Sequence, residues 1–289
     1  MRAVLIELVV MVLLVGSIYF LEAKIRGKNT TDMRIIGGIA WNIQYYSYVV
    51  PITVKPVVRY DERFATETLL CGGSVIGSHW IITAAICLER ISRLEIDNTD
   101  LLIKSGVKSW NGTSNSDRFF AQHDVDSYYI PDSEGYIGLI KVIQRFTHLI
   151  QRISLAGKSY RLKTDSTAQM FGFGANSKTG GHNYIFKGIS GKITRLYHCK
   201  KLLGSIYDTN LQPEYSLCFQ PTREAFIKPD ACDGDSGGPI VENNVLIGII
   251  FSERCGDRLA SQHIKVPGFE DQLRKFISRF NINIRLRFV

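Results

Sequence analysis

The stretch that most constrains the fold of this chain runs from Asp230 to Pro239 and reads Asp-Ala-Cys-Asp-Gly-Asp-Ser-Gly-Gly-Pro. Glycine adopts backbone conformations that residues with a Cβ atom resist, so the three glycines predict a tight turn around Ser236. Such a turn can aim the backbone N–H groups of Gly234 and Ser236 at one point, as an oxyanion hole requires. A chance Gly-Ser turn would not also carry a cysteine and two spaced acids, so the run predicts a nucleophile loop.

Two further segments belong to the same pattern. Residues 71–76 read Cys-Gly-Gly-Ser-Val-Ile, and residues 80–87 read Trp-Ile-Ile-Thr-Ala-Ala-Ile-Cys. Together with the nucleophile loop they resemble the trypsin/chymotrypsin-like serine peptidases, a family with a well-known catalytic triad. The resemblance covers Ile35 to about Asn281. It implies an all-β fold of two six-stranded antiparallel barrels with the active cleft between them and a C-terminal helix.

The residue pattern agrees with that fold class. Short β-branched and aromatic runs, such as Tyr48–Val54, Leu101–Val107 and Gly188–Tyr197, are separated by Gly, Asn, Asp and Pro, which predicts many short strands in a sandwich or barrel. Near the C-terminus Leu273, Phe276, Ile277 and Phe280 recur at helical spacing. We therefore expect barrel one at about 35–150, barrel two at about 151–268 and the closing helix at about 269–281.

The amino terminus predicts export and processing. Residues 1–23 contain an apolar run after a basic start and a small residue near a plausible cleavage point, which indicates a secretory signal peptide. An uncleaved anchor is the alternative, since the run is almost long enough to span a bilayer. The resemblance makes 24–34 an activation peptide and 35–289 the protease domain. Cleavage after Arg34 would free Ile35, whose ammonium would pair with Asp235.

Six cysteines, an even number, fit a secreted disulfide-bonded protein, and the sequence alone allows fifteen pairings. The resemblance selects Cys71–Cys87, Cys199–Cys218 and Cys232–Cys255. The sequon that begins at Asn111 predicts a glycosylated surface loop.

At two positions the sequence departs from the catalytic triad of the family it resembles. Ile86 stands where the family carries the catalytic histidine, and Cys87 fixes that alignment. Tyr136 stands where the family carries the aspartate that orients the histidine. Loss of both is physically coherent, because a buried aspartate without its imidazolium would be an uncompensated charge. We therefore expect Ser236 to lack its base and Ile86 to pack with Tyr136 in an apolar core.

No other residue is a convincing replacement for the base. The chain has six histidines, of which His79 and His123 fall where the family has exposed loops. His263 borders the specificity pocket and is the one remote candidate, with a solvated loop as the favoured placement. No cluster of His, Cys and acidic residues has the spacing of a metal site, and no cofactor is expected.

The specificity pocket is expected to be altered. Asp230 lies six residues before Ser236, where trypsin-like members carry the carboxylate that binds Arg or Lys. The pocket wall aligns with Phe251 and Glu253, and Gly268 retains the second small wall residue. A glutamate in place of glycine would narrow the entrance, although drift of loop residues explains the same change.

Composition adds a formal net charge of +8 but no run of like charges that would indicate nucleic acid. We expect a secreted, monomeric, catalytically inactive homologue that binds a protease, an inhibitor or a substrate of an extracellular cascade, with no membrane contact unless the signal is an anchor. The alternatives are a weakly active endopeptidase with trypsin-like preference, and a structural or adhesive secreted protein.

Overall fold

A computed structural model describes residues 38–57, 66–111, 119–131, 135–175, 185–204, 211–222, 230–251, 259–280, 282, 284 and 286–289. The chain divides into two compact units, 1–33 and 34–289, and every described residue belongs to the second. The predicted signal peptide and activation peptide, including Arg34, lie outside the described residues.

Fourteen strands and three α-helices occur in the described part of the chain. The strands are β1 Ile39–Ala40, β2 Val49–Val54, β3 Thr68–Val75, β4 Trp80–Ala84, β5 Leu101–Ser105, β6 Ala121–Tyr129, β7 Ile137–Val142, β8 Ser154–Leu155, β9 Thr167–Gly172, β10 Lys187–Thr194, β11 Ser216–Pro221, β12 Pro239–Glu242, β13 Val245–Ile249 and β14 Ser261–Lys265. The helices are α1 Ala85–Arg93, α2 Leu196–Leu203 and α3 Glu270–Arg279. Short 3₁₀ turns occupy Ile43–Tyr45, Asn98–Asp100, Pro213–Tyr215 and Val266–Phe269.

The strands form two closed six-stranded antiparallel barrels, as the family resemblance implies. Barrel one closes in the order β2-β3-β4-β7-β6-β5. Barrel two closes in the order β9-β10-β11-β14-β13-β12, because β9 pairs with both β10 and β12. Two short strands join barrel two from elsewhere in the chain: β1 pairs with β10, and β8 runs parallel to β13.

Local sequence explains several of these elements. Strand β2 is buried along its whole length, as expected for a continuous apolar run. Asn243 and Asn244 both have positive φ, the conformation of the two-residue turn that suits the twist of a hairpin, and they join β12 to β13. The predicted strand Gly188–Tyr197 is wrong at its end, because β10 stops at Thr194 and Leu196 starts α2. Burial of Cys199 and Leu203 on one face of that helix accounts for the change.

The closing helix α3 confirms the predicted helical spacing. Its buried residues are Leu273 and Phe276, and acidic residues at its start with Arg279 at its end complement the helix dipole.

Candidate active site

The loop around Ser236 has the tight turn that its glycines predict. Gly234 and Gly237 have φ values of +89° and +83°, which residues with a side chain rarely adopt. A Cβ atom at Gly237 would lie 2.1 Å from Thr83 Oγ1 and 2.4 Å from the carbonyl oxygen of Gly72. Glycine at 237 is therefore required both by conformation and by the close approach of barrel one.

Backbone hydrogen bonds from both barrels hold this loop. The N–H of Gly72 on β3 donates to the carbonyl of Ser236 at 2.7 Å, and the N–H of Gly237 donates to the carbonyl of Ile250 at 2.8 Å. Within the loop, the N–H of Gly238 donates to the carbonyl of Asp235 at 3.0 Å. The serine is thus fixed by main-chain contacts that do not depend on a catalytic partner.

The Asp235 carboxylate is fully buried beneath the loop. One oxygen accepts the N–H of Gly174 at 2.7 Å, and the other accepts the N–H of Cys232 at 2.9 Å. A Cβ at Gly172 would lie 2.0 Å from this carboxylate, so the chain is built closely around it. The predicted partner Ile35 lies outside the described residues, and the ion pair stays a prediction.

The Ser236 hydroxyl is buried, and it has no hydrogen-bond partner among the described residues. In the same part of the chain, the backbone N–H groups of Gly234 and Ser236 donate to no acceptor. Among the described residues, the proposed oxyanion-hole donors are therefore not committed to other acceptors, and the hydroxyl forms no hydrogen bond to a group that could remove its proton.

Ile86 lies in the first turn of α1, directly after β4. The Cys71–Cys87 disulfide anchors this turn, and the Cys87 sulfur lies 3.5 Å from the carbonyl oxygen of Ser236. The segment that carries Ile86 is therefore adjacent to the serine loop. The Ile86 side chain is 39% exposed, so it is not the buried core residue that the sequence suggests.

Tyr136 lies just before β7, and its carbonyl accepts the N–H of Ala85 at 2.8 Å. Its ring contacts aromatic rings of barrel two, with centroid distances of 5.9 Å to Tyr215, 6.1 Å to Phe269 and 6.4 Å to Phe251. Tyr215 and Phe269 are themselves stacked at 4.5 Å. These four rings, called the aromatic cluster below, join the two barrels in an apolar contact that sequence reasoning did not foresee.

The histidines do not replace the missing partner. Five of the six lie in described residues, and none of those five forms a hydrogen bond with the Ser236 hydroxyl. The expectation that His263 is a solvated loop residue is wrong: it lies in β14, is fully buried, and its Nε2 is 2.7 Å from Ser261 Oγ. Burial lowers the pKa of His263 to about 3.

The loop placement of His123 is also wrong. It is buried in β6, with Nε2 2.9 Å from Ser105 Oγ and Nδ1 3.0 Å from the carbonyl oxygen of Gln144. Burial is the main reason that its pKa is lowered. Alternation along a strand, with His123 and Val125 both facing the core, was the available signal in the sequence.

The predicted pocket residues are partly described. Asp230 is buried, and one of its carboxylate oxygens accepts the N–H of Ala231 at 3.0 Å. A Cβ at Gly268 would lie 2.8 Å both from the carbonyl oxygen of Glu214 and from the ring of Tyr215, so glycine admits the aromatic cluster there. Phe251 is half-buried, with its N–H 3.4 Å from His263 Nδ1. Glu253 lies outside the described residues.

The disulfides Cys71–Cys87 and Cys199–Cys218 are present as predicted. Cys232 is also disulfide-bonded, while its predicted partner Cys255 lies outside the described residues. Asn111 is exposed, as a glycosylation site requires, although the modification itself stays a prediction.

The described residues contain no group of three His, Cys, Asp or Glu side chains able to hold a metal ion. Within the same residues no helix is long and apolar enough to cross a membrane.

Two closed barrels with a glycine-bounded serine loop between them define the architecture of a chymotrypsin-type serine peptidase. The sequence model of the family described as Trypsin matches residues 37–272, and the chain belongs to this family. Among its relatives, Trypsin epsilon of Drosophila erecta is 27% identical over 245 residues, 82% of each chain. Trypsin alpha-4 of Lucilia cuprina is 26% identical over 221 residues, covering 76% of this chain and 77% of the relative.

Proposed function

We propose that this protein is a secreted, catalytically inactive member of the trypsin family that binds a protein partner at its cleft and regulates extracellular proteolysis. The observation that carries the proposal is the isolated Ser236 hydroxyl, which has no hydrogen-bond partner among the described residues. A serine hydroxyl is a weak nucleophile until an adjacent base takes its proton. Isoleucine has no proton acceptor, so Ile86 cannot supply that base.

The surroundings of Tyr136 support the same conclusion. Its ring is packed in the aromatic cluster, where a carboxylate would be desolvated without a cationic partner. The family positions of the catalytic histidine and of the aspartate that orients it are therefore occupied by an aliphatic and an aromatic side chain, neither of them an imidazole or a carboxylate. The serine loop nevertheless keeps its backbone geometry, so the cleft is maintained as a surface.

A protein partner is the ligand that this surface favours. Ile86 is 39% exposed on the α1 turn next to the serine loop, and Phe251 is half-buried at the edge of the aromatic cluster. Exposed apolar and aromatic groups on a rigid scaffold are typical of interface cores. The partner class is a protease, an inhibitor or a substrate protein of an extracellular cascade.

Hydrolysis of Arg and Lys peptide substrates tests inactivity. We expect protein cleaved after Arg34 to hydrolyse them no faster than its Ser236→Ala variant, and to leave a serine-directed phosphonate unreacted. A stoichiometric burst of product that Ser236→Ala abolishes would establish the alternative, a weakly active endopeptidase.

Variants that restore the triad residues test whether positions 86 and 136 are the cause of inactivity. Ile86→His alone should stay inactive, because loss of the orienting aspartate costs about 10⁴-fold in turnover in trypsin-like enzymes. Ile86→His combined with Tyr136→Asp should exceed either single variant. Equal activity of all three variants would show that positions 86 and 136 are not what limits the chemistry.

Capture from the native extracellular fluid tests partner binding. Ile86→Ser should weaken capture of a protease, inhibitor or cascade substrate, whereas Ile143→Ser should not. Ile143 is the matched control, since it is another exposed isoleucine of barrel one, 60% accessible and outside the serine loop. Capture of structural matrix proteins alone would favour the adhesive alternative, and equal capture by both variants would place the binding surface elsewhere.

A further inference from the structure

Positive charge is concentrated in one part of the chain. Residues 151–204 contain ten Lys and Arg residues and a single acidic residue, Asp165. Since the whole chain has 35 basic and 27 acidic residues, the remainder is close to neutral. The ten basic residues are interspersed with apolar and polar ones, which is why no run of like charges is visible in the sequence.

The fold brings several of these side chains to one exposed region. Strand β10 carries Lys192 near its end and leads through Arg195 into α2. The turn before β9 lies alongside, because the N–H of Asp165 donates to the carbonyl of Ile193 at 2.8 Å, and that turn carries Lys163. We call the exposed side chains of this region the basic surface; they are Lys163, Lys192, Arg195, Lys200 and Lys201.

Helix α2 is the rigid part of the basic surface. Its inner face buries Cys199 and Leu203, and the Cys199–Cys218 disulfide ties it to β11. Its outer face presents Lys200 and Lys201 beside Tyr197, which is 83% exposed.

Helix electrostatics do not explain the whole cluster. Lys200 and Lys201 lie in the last turn, where cations complement the helix dipole. Arg195 occupies the N-cap, where a cation is disfavoured, and no acidic residue lies in the first turn. The charge at this end therefore does not serve the stability of the helix.

The basic surface is also not neutralised internally. None of its five cations forms an ion pair with any described residue. Partly exposed lysines elsewhere do pair with acids: Lys55 lies 2.7 Å from Asp124, and Lys141 lies 2.8 Å from Asp126. The basic surface is thus distinguished by several unpaired cations that lie close together around the exposed Tyr197.

We propose that the basic surface binds a sulfated polysaccharide chain of the heparin type. Clustered Lys and Arg side chains attract such polyanions, and an extended chain can contact a row of cations without a pocket. The Tyr197 ring offers a flat face next to the cations for a sugar ring. Disulfides indicate an oxidising compartment, where nucleic acid is not the expected partner, and anionic lipids are enriched in the cytoplasmic leaflet.

The test compares two triple variants of equal charge change in binding to heparin oligosaccharides. Arg195→Gln, Lys200→Gln and Lys201→Gln remove charge from the basic surface. Arg93→Gln, Lys275→Gln and Arg279→Gln remove the same charge from exposed sites on α1 and α3. We expect the first triple variant to raise the Kd for heparin at least about tenfold, and to reduce the slope of log Kd against log salt concentration by about one for each lost contact. The second triple variant should have little effect on either quantity.

Equal losses in both triples would overturn the proposal, because they would indicate a response to net charge alone. Tighter binding to phosphatidylserine vesicles or to polyglutamate than to heparin would also overturn it, in favour of a membrane or an acidic protein. Intact disulfides and an unchanged melting temperature in each triple variant verify that the fold is retained. An unsulfated chain of the same length should not bind.

Discussion

At the scale of single residues, the glycines of the serine loop show how a local conformation and a long-range contact select the same residue. Gly237 has positive φ and also lies where Thr83 and Gly72 of barrel one leave no room for a Cβ atom. Gly204, after α2, has a φ of +56°, but no atom of the described residues lies within 4 Å of a Cβ built there. A comparison of substitutions at the two positions therefore distinguishes the cost of backbone strain from the cost of steric overlap.

We therefore expect Gly237→Ala to destabilise the protein by at least about 3 kcal/mol, because strain and overlap add. Gly204→Ala should cost about 1–2 kcal/mol from strain alone. Denaturant unfolding of the two variants beside wild type measures the difference. Equal losses would mean that the overlap with Thr83 is relieved by a small movement of barrel one.

The residues of the candidate site were also the part of the protein that the sequence predicted best. The turn around Ser236 follows from a short motif of neighbouring residues, and two of the disulfides were implied by the family resemblance. The placements of His123 and His263 were not foreseen, since a motif says nothing about which strand covers a side chain.

At the scale of elements, the C-terminal segment beyond α3 continues onto the barrels. The N–H of Leu155 on β8 donates to the carbonyl of Arg287 at 2.7 Å, and the N–H of Val289 donates to the carbonyl of Leu155 at 3.0 Å. Phe288 packs against the core, and the guanidinium of Arg274 lies 4.5 Å from its ring centroid. The family resemblance ended near Asn281 and did not predict this pairing.

Phe288→Ala should lower the free energy of unfolding by about 2 kcal/mol, because it removes a half-buried ring and its cation–π contact. For a chain of this size the melting temperature should fall by about 5 °C. Val289→Ala is the control, since Val289 is 48% exposed and pairs through its backbone. A melting temperature unchanged by Phe288→Ala would show that the ring contributes nothing to stability.

At the scale of the whole molecule, two buried histidines link the fold to pH. The pKa of His263 is lowered to about 3, and that of His123 is lowered as well, mainly because burial disfavours the imidazolium. An unfolded chain binds these protons near pH 6.5, whereas the folded protein does not. Their contribution to stability is therefore fully present above about pH 6.5 and is lost as the pH falls below it.

Lowering the pH from about 6.5 to about 4.5 should reduce the free energy of unfolding by about 2 kcal/mol through His263 alone. His263→Gln should flatten this dependence, and His148→Gln, at an exposed position, should not. Unfolding curves across that range give the slopes. An NMR titration of wild-type imidazoles provides a second readout, and protonation of His263 in the folded protein near pH 6 would contradict the prediction.

The sequence by itself determined the serine loop, the closing helix and a fold of many short strands, and its family resemblance implied the two barrels and two of the disulfides. Each depends on local conformation or on motifs that hold their register with cysteines and glycines. Tertiary structure alone decided the aromatic cluster around Tyr136, the burial of His263, and the basic surface around α2. These features join residues far apart in the chain, and strand pairing and barrel closure, rather than sequence distance, set which side chains share a surface.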